Sequence, residues 1–162
     1  MKLWPRIKQL SVGQLWKFFV LFLKHPRFII PSWKATQHTF ELCNTRFGNT
    51  HHGVNKANAF RHALWNVSLC RNVYKLNQNK QKSVFWAQKV TDLYEKVTQN
   101  SGLDDDMDLH NNAMGRAAFL NTLGQNESEI ITYLLEKSEK AIKIEHLDQI
   151  AEAKNQMVYI SE

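Results

Sequence analysis

The stretch Asn58-Ala59-Phe60-Arg61-His62-Ala63-Leu64-Trp65-Asn66-Val67 decides how this chain folds. Phe60, Leu64 and Val67, continued by Tyr74, recur at helical spacing and predict one apolar side of a helix running from about Asn55 to Leu76. With Asn58 at zero and about 100° per residue, Arg61, His62, Trp65 and Leu69 fall within about 60° of it, on another side. A helix with apolar residues on two sides is a buried one. Its Arg and His then need partners, because an uncompensated charge in a low-dielectric interior is costly.

A second stretch repeats the anomaly. Met107-Asp108-Leu109-His110-Asn111-Asn112-Ala113-Met114-Gly115-Arg116 predicts a helix reaching about Leu123, opened by Asp104, Asp105 and Asp106, which suit the positive end of its dipole. Asp108, Asn112 and Arg116 share an arc with Leu109, Phe119, Leu120 and Leu123, so polar groups lie on the side expected to face the core. Gly115 costs about 1 kcal/mol of helix propensity against Ala, which points to close backbone approach by another helix or a ligand.

Around these two, the chain reads as helices throughout. Ser11 caps a helix to about Lys24, stopped by Pro26; a second runs from Pro31 to Gly48 with Trp33, Phe40 and Cys43 inward. Gln81 to Gln99 offers Val84, Trp86, Val90, Leu93 and Val97 for burial. Asn126 caps a helix with Ile130, Ile131, Leu134 and Leu135 inward. The tail is weaker: Leu147 and Ile150 allow a further helix, and Met157-Val158-Tyr159-Ile160 a short extended segment. The expected fold is all-α, a compact single-domain bundle of about five to seven helices with a polar cluster between two core helices. Within the single domain 1–162 lie a basic, apolar N-terminal helix (1–31), a core carrying both motifs (49–123) and a weakly specified tail (145–162).

Charge is unevenly divided. Residues 1–89 carry fifteen Lys/Arg and one acid, Glu41, whereas residues 90–162 carry six Lys/Arg and fourteen acids, +14 against −8. The acidic helices neutralise the basic ones, or the basic half meets anionic lipid or phosphate. Cys43 and Cys70 are in no zinc-ligand spacing and read as buried thiols of a reducing compartment, hence a cytoplasmic protein. Lys2, Arg6 and Lys8 before the apolar run Phe18 to Leu23 imitate a secretory leader, but Lys17 interrupts the pattern and His25-Pro26-Arg27 stands where a cleavage site belongs. The run is too short to span a bilayer. Its helix is expected to cover the domain or to lie peripherally on the inner membrane face. His51 and His52 read as a solvated turn in preference to a metal site, since no third ligand is near in sequence.

The chemistry-bearing set is then His62, Glu95 and Asp108 as candidate catalytic groups, with Asn58, Arg61, Trp65, Asn111, Asn112 and Arg116 as candidate substrate-binding groups. A carboxylate from Glu95 or Asp108, with Glu95 preferred over Asp92, orients His62 and raises its basicity. Arg61 and Arg116 form an anion clamp. The alternative is a structural network in which the arginines pair with Asp108 and Glu95. No residue is assigned as a metal ligand, the chemistry is expected to be metal-free or weakly metal-assisted, and the residues name no cofactor.

The two motifs, Asn58 to Asn66 and Met107 to Arg116, resemble the signatures of a bacterial family, domain of unknown function 6973, over about His52 to Phe119. The resemblance implies a helical domain with a shared polar site, in which an acidic residue, often in a His-Glu pair, lies between the signatures. Glu95 occupies that place, preceded here by Tyr94. The family brings no activity with it. Two functions are therefore expected: a small hydrolase acting with a His/acid pair on an ester or phosphoester of an anionic small molecule or lipid at a membrane surface, or a noncatalytic membrane-peripheral or ligand-binding module. Nucleic-acid binding ranks below both, because the basic residues are interspersed with large apolar ones.

Overall fold

Asn55 accepts a hydrogen bond from the Asn58 backbone N–H (3.1 Å) and so starts the longest helix of the protein. In the computed structural model, which describes residues 11–98 and 102–161, the elements run α1 (Val12–Leu23), α2 (Ile29–Phe47), α3 (Lys56–Asn77), α4 (Lys80–Thr98), α5 (Leu103–Asn121), α6 (Glu127–Glu139), β1 (Ile142–Lys143), α7 (Asp148–Ala153) and β2 (Val158–Tyr159). Lys2, Arg6, Lys8 and Gln99, which the sequence assigns to helix flanks and ends, lie outside the described residues.

The α3 helix is the axle of an all-α bundle, with α2, α4, α5 and α6 packed around it. Phe60, Leu64, Val67, Leu69 and Val73 join Cys43, Trp86, Val90, Phe119 and Leu134 in one core, burying apolar side chains that each contribute about 1.5–3 kcal/mol. Both thiols are buried, and burial pushes Cys43 and Cys70 up to about 12.

Gly115 explains how α5 is rotated. A Cβ there would lie 2.3 Å from the Ala63 carbonyl oxygen and 2.7 Å from its Cα, so α5 touches the backbone of α3. That contact centres the buried face on Asn112, Gly115 and Phe119 and turns the expected core residue Leu120 outward. The second helix also differs from expectation. A 3-10 turn at Pro26–Phe28 leads into α2 at Ile29, and Pro31 falls in its first turn, where no intrahelical N–H bond is lost. The inward face of α2 is Ser32, Ala35, Thr39 and Cys43, small residues that let it approach α3; Trp33, expected inward, is exposed.

Among the described residues no helix is long and apolar enough to cross a membrane. No residue of α1 is buried. The helix is held by a Ser11–Gln14 capping box, by the Gln14 amide donating to the Val97 carbonyl, and by Phe22, which with His25 and Phe28 surrounds the Trp86 ring at 5.1–5.7 Å. After α6 the chain forms a two-stranded parallel pair, Ile142 opposite Val158 and Lys143 opposite Tyr159. The extended segment at Val158 is expected from the sequence; its partner β1 is two residues long, too short to show any period.

Candidate functional site

Arg116 begins a chain of hydrogen bonds that ends at the His62 ring. A guanidinium only donates, so the Asn66 atom 3.2 Å from Arg116 Nη1 is the amide oxygen. The Asn66 Nδ2 group then donates to Asn112 Oδ1 (2.7 Å) and to the His62 carbonyl (3.0 Å). Asn112 Oδ1 is an acceptor, so His62 Nδ1, 3.1 Å away, carries the proton; Asn112 Nδ2 correspondingly donates to Glu95 Oε1 at 3.0 Å. Each assignment forces the next. On the other side of the ring a guanidinium again only donates, so His62 Nε2 accepts from Arg61 Nη2 (2.6 Å), and Asp108 Oδ1 lies 3.3 Å from the same nitrogen.

The Arg61, His62 and Asp108 end of this chain lies at the floor of a cavity of about 580 Å³ between α1, α2, α3, α4 and α5, within the range typical of small-molecule sites. Arg61, His62, Glu95 and Asp108 line it, all buried. Asn58 and Trp65 line it too: Asn58 donates to the Gly53 carbonyl, and Trp65 Nε1 donates to Thr36 Oγ1 at 2.9 Å while its ring meets Tyr94 edge-on. The other wall is apolar, from Leu15, Phe18 and Phe22 of α1 and Ile29 of α2.

Burial pushes Glu95 up to about 8, and the Asp108 charge adds to that rise; the Asn112 hydrogen bond and the Arg61 charge oppose it without reversing it. Its carboxyl is therefore largely protonated at neutral pH. Glu95 Oε2 is buried with no hydrogen-bond partner among the described residues. His62 Nδ1 lies 3.5 Å from Glu95 Oε1, longer than its bond to Asn112, so Asn112 orients the imidazole directly.

Not every expected site residue meets there. Arg116 bonds Asn66 and, at 3.5 Å, Thr91, away from the cavity, so among the described residues Arg61 is the arginine or lysine that lines it. Asn111 turns to β2, donating to the Val158 carbonyl (2.8 Å) and accepting from its N–H (3.0 Å). Asn112 lies behind His62. Glu95 reaches the cluster, whereas the charge of Asp92, three residues earlier, acts on Arg116.

The turn at Thr50–His52 is a correction to the sequence reading. His51 is fully buried, with Nε2 3.0 Å from Asn44 Oδ1, and its carbonyl accepts from Arg61 Nη1 at 2.6 Å. His52 lines the cavity with Nδ1 3.4 Å from the same guanidinium nitrogen. The buried Arg61 needed acceptors, and this turn supplies them. Tyr94, where the family resemblance implies a histidine in some members, forms part of the wall beside Trp65.

His62, Glu95 and Asp108 each offer a ligand atom within 4.8 Å of the others, a donor set suited to a divalent cation. The Arg61 guanidinium, 2.6 Å from Nε2, already places a positive charge where such an ion would sit.

A family model described as Domain of unknown function (DUF6973) matches residues 19–142, a span that includes every group on the cavity floor. No curated protein and no solved structure matches the chain.

Proposed function

The chain belongs to the family described as Domain of unknown function (DUF6973), and on that premise we propose that it is a small hydrolase acting by general acid–base catalysis on an ester or phosphoester of an anionic substrate. The observation that carries this reading is the His62 Nε2 lone pair, held at the cavity floor between Asp108 and the Arg61 guanidinium. An anionic substrate group draws Arg61 Nη2 to itself and uncovers Nε2. The nitrogen then takes a proton from water, whose oxygen attacks the carbonyl carbon or phosphorus. Asp108 stabilises the imidazolium, and Asn112 keeps Nδ1–H in place. The protonated Glu95 carboxyl donates to the leaving oxygen as the ester bond breaks, and proton return from His62 to Glu95 restores the resting state.

Turnover of a panel of chromogenic carboxylic and phosphoric esters by the wild type, His62→Gln and Asp108→Asn tests this. The expected result is loss of about 10²–10⁴-fold on removing the base, with melting temperature nearly unchanged. Full turnover by folded His62→Gln would overturn the reading. A second reading, a noncatalytic ligand-binding module with a structural polar network, is favoured by the way Asn66, Thr91 and Arg116 bond among themselves away from the cavity. Its signature is collapse of stability in both variants and no turnover by the wild type.

A further inference from the structure

The outward residues of α1 make a single stripe. Counting about 100° per residue from Val12, Trp16 falls at about 40°, Phe19 at about −20° and Leu23 at about 20°. These four large apolar side chains, at i, i+4, i+7 and i+11, are between 52% and 85% exposed. Trp16 and Phe19 stack on each other with ring centroids 5.3 Å apart. The adjoining arc, from about 200° to about 300°, carries Gln14, Leu15, Phe18 and Phe22, which line the cavity. Lys17 and Lys24 lie between, at about 140° and 120°.

The apolar face continues beyond α1. Ile30 is 66% exposed, and Leu15, Ile29 and Trp33 are both cavity-lining and 41–43% exposed, so apolar side chains of α1 and α2 meet both the cavity and solvent. Charge on α1, the turn after it and the start of α2 has one sign, whereas the exposed Asp104 of α5 lines the cavity. From residue 11 to 40 the sequence holds Lys17, Lys24, Arg27 and Lys34 and no Asp or Glu.

We propose that α1 is an interfacial helix that lays its outward stripe into an anionic lipid surface and delivers a single-chain anionic amphiphile from it into the cavity, chain against α1 and headgroup at Arg61. A bilayer surface fits because it alone supplies an apolar layer and a sheet of negative charge together, matching a stripe edged by lysine and arginine with no acid. Within the cavity, Phe18 and Phe22 face the chain, and Arg61 faces the charge. The identity of the reacting amphiphile rests on the acid–base reading; docking on lipid and entry of the amphiphile do not.

Binding without turnover therefore tests it. The full chain is sedimented with vesicles of phosphatidylcholine alone and with about one-third phosphatidylglycerol. Wild type is expected on the anionic vesicles, at least tenfold more weakly on neutral ones and in high salt. Trp16→Ser/Phe19→Ser, altered only where solvent is met, is expected to lose that binding by about tenfold with an unchanged urea midpoint. In a second arm, lysophosphatidate binding is followed by calorimetry, expected at one per chain and weakened at least tenfold by Arg61→Gln and by Phe18→Ser, each checked for folding by circular dichroism. Equal sedimentation of the double variant overturns the proposal. So does a wild-type dimer that the double variant converts to monomer, since a second copy would then cover the stripe, and so does lysophosphatidate binding indifferent to Arg61 and Phe18. Lysophosphatidate bound but untouched, alongside absent turnover in the ester panel, overturns only the hydrolase reading.

Discussion

His62 Nδ1 lies 3.1 Å from Asn112 Oδ1, and that oxygen is fixed as an acceptor by the Asn66 amide, itself fixed by Arg116. A residue outside the cavity thus decides which imidazole nitrogen faces it. Nitrogen-15 spectra of the His62 ring are expected to show Nδ1–H and a bare Nε2 in the wild type. Arg116→Met leaves the Asn66 amide held by the His62 carbonyl alone, so Nδ1–H is expected to stay the major tautomer there with a minor inverted population; a bare Nδ1 in the wild type would break the chain of assignments.

Gly115 predicts a stability effect. The Cβ of Gly115→Ala would meet the Ala63 backbone, which cannot swing aside as a side-chain tip does. The expected loss is about 3 kcal/mol, the upper end of overpacking costs, read from urea denaturation. Unaltered stability would mean that α3 and α5 separate without penalty.

Glu95 makes stability depend on pH. Its ordinary value of 4.5 applies to the unfolded chain, and about 8 applies to the folded one, so folding takes up a proton between those limits. The contribution of this group is most favourable at and below about pH 4.5, declines as pH rises to about 8, and is level beyond. Glu95→Gln, neutral throughout, is expected to flatten that decline, giving higher urea midpoints than wild type at about pH 9 and a smaller difference at about pH 5. Parallel wild-type and variant profiles would refute it.

Arg61 predicts cation selectivity. Removing its positive charge leaves His62, Glu95 and Asp108 within 4.8 Å of one another with no counter-charge beside Nε2. Arg61→Met is expected to gain melting temperature on addition of Mn²⁺ or Zn²⁺, and the wild type to gain less. Equal gains would show that the guanidinium does not compete for that place.

The helices and the central cluster were legible in the sequence because their signals are local. Ser11, Asn55 and Asn126 cap where capping chemistry predicts, and the period of Phe60, Leu64 and Val67 marks α3 as buried. Glu95 could be placed because the family resemblance implies an acid between the two motifs; helix phase alone leaves Asp92, three residues away on the same face, as its equal. Other features depend on partners that periodicity does not contain. The rotation of α5 follows from one glycine's contact with another helix, which moved Arg116 away from the cavity. His51 looked solvated because its role, a carbonyl for Arg61, is a backbone service that side-chain chemistry does not announce. Helix α1 has two apolar arcs, and only the fold says which meets protein and which meets solvent.

The Asn111 side chain imitates a strand: it gives and takes one hydrogen bond with Val158, as a neighbouring backbone would. During synthesis, α5 is made well before residue 158 follows, and until then both polar ends of that amide lack their partner. Maturation of the helix bearing Asp108 is thereby coupled to arrival of the last strand. A chain stalled before Val158 would leave both of these bonds unmade, and the helix that carries Asp108 would lack one of its tertiary fastenings.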